Sequence, residues 1–197
     1  MLFTETQLDG AYLVDLQRLE DDRGFFARTW CQREFSDRGL DAALVQCSLS
    51  YSARRGTLRG LHFQEPPFAE TKLVRCIQGA IYDVIVDLRR DSQTFLQWIG
   101  MELTAQNRRA LVVPKGFAHG FQTLRDDTEV FYQMSEFHAP DAARGIRWND
   151  PLLGISWAEE VTSISPRDRG YRDLRPAELI TGLAAADDVV PTVAHGS

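Results

Sequence analysis

The chain has 197 residues, enough for one domain with a sizeable core. Its 44% hydrophobic and 25% charged content is that of an ordinary soluble globular protein. A net charge of −6 speaks against general nucleic-acid binding, and no run of about 18 apolar residues offers a membrane-spanning helix. The opening Met1-Leu2-Phe3-Thr4-Glu5 lacks the basic and apolar regions of a secretory leader. Three cysteines (Cys31, Cys47, Cys76) form no C-x-x-C pair, which favours reduced thiols and a cytoplasmic protein. In chain order, a short helix is expected from about Cys31 to Arg38. β-Branched apolar runs follow over 72–76 and 80–88, and the break at Gln78-Gly79 reads as a hairpin turn. In the second run Tyr82, Val84, Val86 and Leu88 share one face, opposite Ile81, Asp83, Ile85 and Asp87. Further short strands are expected over 111–114 and 129–134, bounded by Lys115-Gly116 and Arg125-Asp126-Asp127. Short strands at this spacing suggest a mostly β fold, an antiparallel jelly-roll sandwich or barrel with a few short helices. A weak helix is expected over 176–183, closing a single domain of residues 1–183. The last stretch, 184–197, reads as a flexible tail.

The segment Leu58-Arg59-Gly60-Leu61-His62-Phe63-Gln64 places a guanidinium and an imidazole around a glycine. Arginine's planar fork donates paired, charge-assisted hydrogen bonds to phosphate, and a histidine of ordinary pKa can accept a proton near neutrality. A regular strand would put Arg59 and His62 on opposite faces. Either a bulge at Gly60 brings them together, or Arg59 precedes the strand proper. Pro114-Lys115-Gly116-Phe117-Ala118-His119-Gly120-Phe121 resembles the second motif of cupins, whose turn brings a histidine into a barrel mouth. The four histidines (His62, His119, His138, His195) include no H-x-H pair, so a bound metal is not expected.

Six motifs stand in order between about Leu13 and Asp173: D-x-R-G-F-F ending at Phe26, L-R-G-L-H-F-Q, K-L-V-R from Lys72, D-V-I-V-D-L-R from Asp83, P-x-G-F-A-H-G-F, and G-I-R-W-N-D-P from Gly145. Together they resemble the dTDP-4-dehydrorhamnose 3,5-epimerase family. The resemblance implies epimerisation of a nucleoside-diphosphate 4-keto-6-deoxyhexose at C3 and C5, with no cofactor. It implies His62 as base, oriented by Asp168 (with Asp83 as a second possible partner), Lys72 near the sugar O4, and Tyr132 as the acid on the far ring face. Arg59 and His119, with Arg23, would bind the diphosphate, and Arg167 beside Asp168 would also contact substrate. The implied partner is a second copy of the chain, in a homodimer whose N-terminal strand carries Arg23 and Phe26 into the neighbouring site. Apolar residues on both strand faces fit such an interface.

Three positions at the nucleotide end depart from the family pattern. Arg28 stands where a base-reading glutamate is common, His138 aligns with an aromatic that stacks on thymine, and Gln46-Cys47-Ser48 replaces Q-x-N, so Ser48 offers a hydroxyl for an amide. A guanidinium facing the thymine imide would leave both donors unpaired, so Arg28 either turns to a phosphate or protein carboxylate, or the site prefers another base. Thymidine is the first expectation; another base, or epimerisation at one carbon, is the alternative. From other functional classes, a non-catalytic cupin-like sugar-nucleotide binder and a metal-dependent cupin oxygenase are the rivals.

Overall fold

The computed structural model describes residues 1–175; the helix expected over 176–183 and the tail over 184–197 lie outside them. The β-branched runs and their Gly- and Asp-rich breaks fold into strands β1 (Leu2–Glu5), β2 (Tyr12–Asp15), β3 (Arg18–Asp21) and β4 (Gly24–Ala27), helix α1 (Gln32–Ser36), then β5 (Gln46–Ser52), β6 (Thr57–Gln64), β7 (Lys72–Gln78) and β8 (Ala80–Asp87). They continue as β9 (Trp98–Thr104), β10 (Ala110–Val113), β11 (Phe117–Thr123), β12 (Thr128–Met134), β13 (Ala143–Gly145), β14 (Ser163–Ile164) and helix α2 (Pro166–Gly170). One sheet has the order β1-β2-β10-β7-β12-β5 and the other β13-β6-β11-β8-β9, with β14 added parallel to β6. The remaining strand pairs are antiparallel, as a jelly roll requires. No described helix is long and apolar enough to cross a membrane.

Inward-facing residues of the two sheets meet in a buried core that includes Val74, Leu111 and Val130 from the first, and Ile81, Ile85 and Phe121 from the second. Each such side chain contributes about 1.5–3 kcal/mol by leaving water. The outer face of the second sheet carries Val84, Val86, Leu88 and Ala118, packed beneath Ile146, Leu153, Trp157 and Leu174. The two-faced apolarity of these strands is therefore met within the chain by its own C-terminal segment rather than by a partner. On the first sheet, Leu73, Ala110 and Val112 are covered by Met1 and by Phe35 of α1.

The expected hairpin at Gln78-Gly79 is corrected. β7 pairs with β10 and β12, whereas β8 pairs with β11 and β9, so the chain crosses from one sheet to the other at Gly79. Gly79 has φ +75°, and a Cβ there would lie 2.3 Å from Thr128 Oγ1. A corner between sheets and a hairpin ask for the same left-handed residue, so local composition does not separate them.

The register of β6 against β11 settles how Arg59 and His62 are placed. Arg59 opposes Phe121 and His62 opposes His119, so three steps on β6 match two on β11. The extra residue is a bulge, and it puts Arg59 and His62 on the same face. Gly60 within it has φ +127°, and a Cβ would meet Gly120 Cα at 2.5 Å. Gly60→Ala is therefore expected to lose about 1–3 kcal/mol of stability or more in urea denaturation, with loss of activity. Wild-type stability in that variant would mean that the bulge does not need glycine.

Candidate active site

His62 lies on β6, and its Nε2 is 2.7 Å from Asp168 Oδ1. The aspartate belongs to α2, where Ser165 caps the helix by accepting a hydrogen bond from Asp168 N at 3.0 Å, with Pro166 in the first turn. The second carboxylate oxygen accepts from Gly60 N at 3.2 Å, so the bulge also holds the aspartate. Burial alone would raise the Asp168 pKa, but the hydrogen bonds from His62 and Gly60 outweigh it and keep the carboxyl below its ordinary value. An ionised acceptor at Nε2 fixes the proton there and leaves His62 Nδ1 as the free lone pair. The Tyr171 ring meets His62 edge-on, with centroids 6.1 Å apart. It lies against Gly145, where a Cβ would come within 2.1 Å of that ring.

Tyr132 enters from β12 of the opposing sheet, across from Ser48 of β5. Its ring packs edge-on against His119 at 6.0 Å and tilted against Phe121 at 6.5 Å. Burial, reinforced by the Asp83 charge, pushes its hydroxyl pKa above the ordinary value, so it carries its proton at neutral pH. His119 itself departs from expectation. Its side chain is 5% exposed, and its Nε2 is 2.8 Å from buried Asp83 Oδ1. This places Asp83 on His119 rather than on His62, and places His119 behind Tyr132 rather than among the residues lining the cleft.

Two adjoining cavities make the cleft, sharing His62, Tyr132 and Arg167. One, of about 460 Å³, is also lined by Gln46, Ser48, Lys72 and His138. The other, of about 510 Å³, adds Arg59 and Asp168. Arg59 is held there by bonds from Nη2 to Tyr51 O at 2.8 Å and from Nε to Ser52 Oγ at 3.2 Å. Gln46 Oε1 accepts from His138 N at 3.1 Å, tying the loop that carries His138 to β5. Chemically, the cleft sets a carboxylate-held imidazole against a protonated phenol on the facing sheet, with an ammonium and two guanidiniums also in its lining.

Arg23, Phe26 and Arg28 do not line this cleft. Arg23 and Phe26 sit on the β3–β4 hairpin, a separate two-stranded sheet. Arg23 pairs with Asp21 at 2.6 Å, and Phe26 is 73% exposed. Arg28 has turned to a protein carboxylate, with Nη1 3.1 Å from Glu34 Oε1. Sequence reasoning missed Glu70, which lines the first cavity, Ser50, which lines the second, and Tyr171 beside His62. Glu70 had a signal: in Glu70-Thr71-Lys72, alternate positions of extended chain share a face. Tyr171 had none, because its place depends on the distant Gly145.

The family model for dTDP-4-dehydrorhamnose 3,5-epimerase matches residues 5–176. A dTDP-4-dehydrorhamnose 3,5-epimerase of Methanothermobacter thermautotrophicus is 44% identical over 177 residues, spanning 88% of this chain and 94% of that protein. The crystal structure of a Bacillus anthracis dTDP-4-dehydrorhamnose 3,5-epimerase with TDP and PPi bound is 47% identical, with TM-score 0.84 over 88% of this chain and 99% of that one. A Legionella pneumophila dTDP-6-deoxy-D-glucose-3,5-epimerase in complex with dTDP-4-keto-L-rhamnose is 35% identical, with TM-score 0.82 over 90% and 96% of the two chains.

Proposed function

The chain belongs to the dTDP-4-dehydrorhamnose 3,5-epimerase family, and we propose that its cleft converts dTDP-4-dehydro-6-deoxyglucose to dTDP-4-dehydrorhamnose by proton transfer at C3 and C5. It is an isomerase. Both carbons adjoin the C4 ketone, so loss of either proton gives an enolate whose charge rests on O4. The reaction needs a base on one ring face, a cation at O4 and an acid on the other face. His62 Nδ1 takes the proton, with Asp168 holding the ring and stabilising the imidazolium that forms. The Lys72 ammonium meets O4, and Tyr132 returns a proton from the facing sheet. The observation that carries this reading is the His62–Asp168 pair on one sheet opposite a protonated Tyr132 on the other.

Arg59 and Arg167 take the diphosphate, since both line the second cavity. His119 acts on the site through Tyr132, against which it packs. Gln46, Ser48 and His138 face the sugar and the nucleotide base. Arg28, engaged by Glu34, leaves the thymine imide without a repelling donor, which supports thymidine as the base. The test is to incubate the purified protein with dTDP-4-dehydro-6-deoxyglucose and follow the sugar by proton NMR. Formation of dTDP-4-dehydrorhamnose is expected. Binding of the nucleotide sugar without conversion would instead support the non-catalytic binder.

The active unit is a homodimer. The exposed β3–β4 hairpin presents Leu19 and Phe26, and the outer face of the edge strand β5 presents Leu49 and Tyr51. Apolar patches and an open strand edge of this kind mark an interface. The hairpin of one copy lies on β5 of the other and brings Arg23 and Phe26 to its nucleotide end. Sedimentation at assay concentration is expected to show a dimer, and Phe26→Asp is expected to yield monomer with activity lowered at least about tenfold. A fully active monomer would contradict the shared site.

A further inference from the structure

Lys72 does not stand alone in the cleft. Its Nζ lies 3.0 Å from Glu70 Oε1, and the two side chains are 14% and 11% exposed. Among the described residues lining their cavity, Glu70 is the one carboxylate. The other charged or titratable side chains there are His62, Tyr132, His138, Arg144 and Arg167. Of these, Arg144 is engaged by Glu65 at 2.9 Å.

The backbone carrying the pair is fixed. Thr71, between the two residues, donates its N–H to Ser135 Oγ at 2.9 Å and accepts from Ser135 N at 3.0 Å through its carbonyl. Gln64 stitches the preceding loop, donating from Nε2 to Phe68 O at 2.8 Å and accepting from Ala139 N at 2.7 Å. A lysine alone is a point charge on a long flexible stem. With one ammonium donor bound to Glu70, two remain for substrate and the stem is confined.

We propose that Glu70 is a positioning residue for the epimerisation: its carboxylate holds the Lys72 ammonium in place in the cleft. This rests on the role given to Lys72 above. An ion pair shielded from water adds little net stability, but losing one partner leaves the other charge uncompensated. The effect of removing Glu70 should therefore fall on turnover, through Lys72.

The test is a double-mutant cycle on kcat and KM, with dTDP binding measured by calorimetry for each variant. Lys72→Met is expected to lower kcat by about 100-fold. Near-normal turnover in that variant would overturn the role of Lys72 and this proposal with it. Glu70→Gln, which keeps the side chain's shape, is expected to lower kcat about tenfold with dTDP affinity within about twofold. In the Lys72→Met background it should change kcat by less than about twofold. With Lys72 shown to matter, three results would overturn Glu70 alone: wild-type kcat in Glu70→Gln, an undiminished loss in the Lys72→Met background, or a raised KM at unchanged kcat.

Discussion

Replacing His62 by alanine is expected to abolish solvent exchange at both C3 and C5 while nucleotide binding survives. Among the described residues lining the cleft, His62 is the one carboxylate-oriented imidazole, so the same base must serve both carbons in turn. Loss of a general base costs about 10²–10⁴-fold in rate. Binding should persist, because Arg59 is anchored to β5 independently of the imidazole. The substitution also strips Asp168 of its imidazole partner, leaving it the Gly60 N–H and the Ser165 side chain, at a stability cost of about 1–3 kcal/mol. Exchange should therefore be compared at a temperature where dTDP binding shows the variant folded. Near-wild-type exchange at either carbon would require a second base.

Tyr132→Phe is expected to separate exchange from inversion. The phenyl ring keeps the contacts with His119 and Phe121, so the fold is preserved. His62 can still remove a proton and return it to the same face, placing deuterium from solvent at a carbon of unchanged configuration. Inversion should fall by about 10²–10⁴-fold, because the phenol that returns the proton from the facing sheet is gone. Normal inversion in this variant would reduce Tyr132 to a packing residue whose hydroxyl is dispensable.

The parts of this site that were legible in the sequence are those written in consecutive residues. In consecutive residues, Tyr132 alternates with Val130 and Met134, a period-two pattern that puts it on an apolar strand face, and Val130 and Met134 are buried. Arg59, Gly60 and His62 raised the question of a bulge, which pairing with β11 answered. What was hidden depends on contacts between distant segments. At Gly79, partner choice decides between hairpin and corner, and that choice is made by β10, β11 and β12 rather than by the turn. Read from the sequence, the apolar outer face of β8 fits a partner interface. Its cover comes instead from residues 146–174, whose sparse periodicity gave no sign of it. His119 matched a substrate-binding position, yet Asp83 on the neighbouring strand β8 draws it inward behind Tyr132. The Ser165-Pro166 start of α2 carries the residues of a helix cap, which sequence reasoning passed over, and it is what presents Asp168 to His62.

The central claim is that one imidazole and one phenol, facing each other across the cleft, move the protons at both carbons flanking the ketone. The most direct measurement is incubation of the wild-type protein with dTDP-4-dehydro-6-deoxyglucose in deuterated water, with deuterium located by proton NMR and mass spectrometry. The account predicts one deuteron at C3 and one at C5, both in sugar of inverted configuration. Inversion with the original hydrogen retained at either carbon would contradict transfer between opposite faces, as would nucleotide sugar recovered without deuterium.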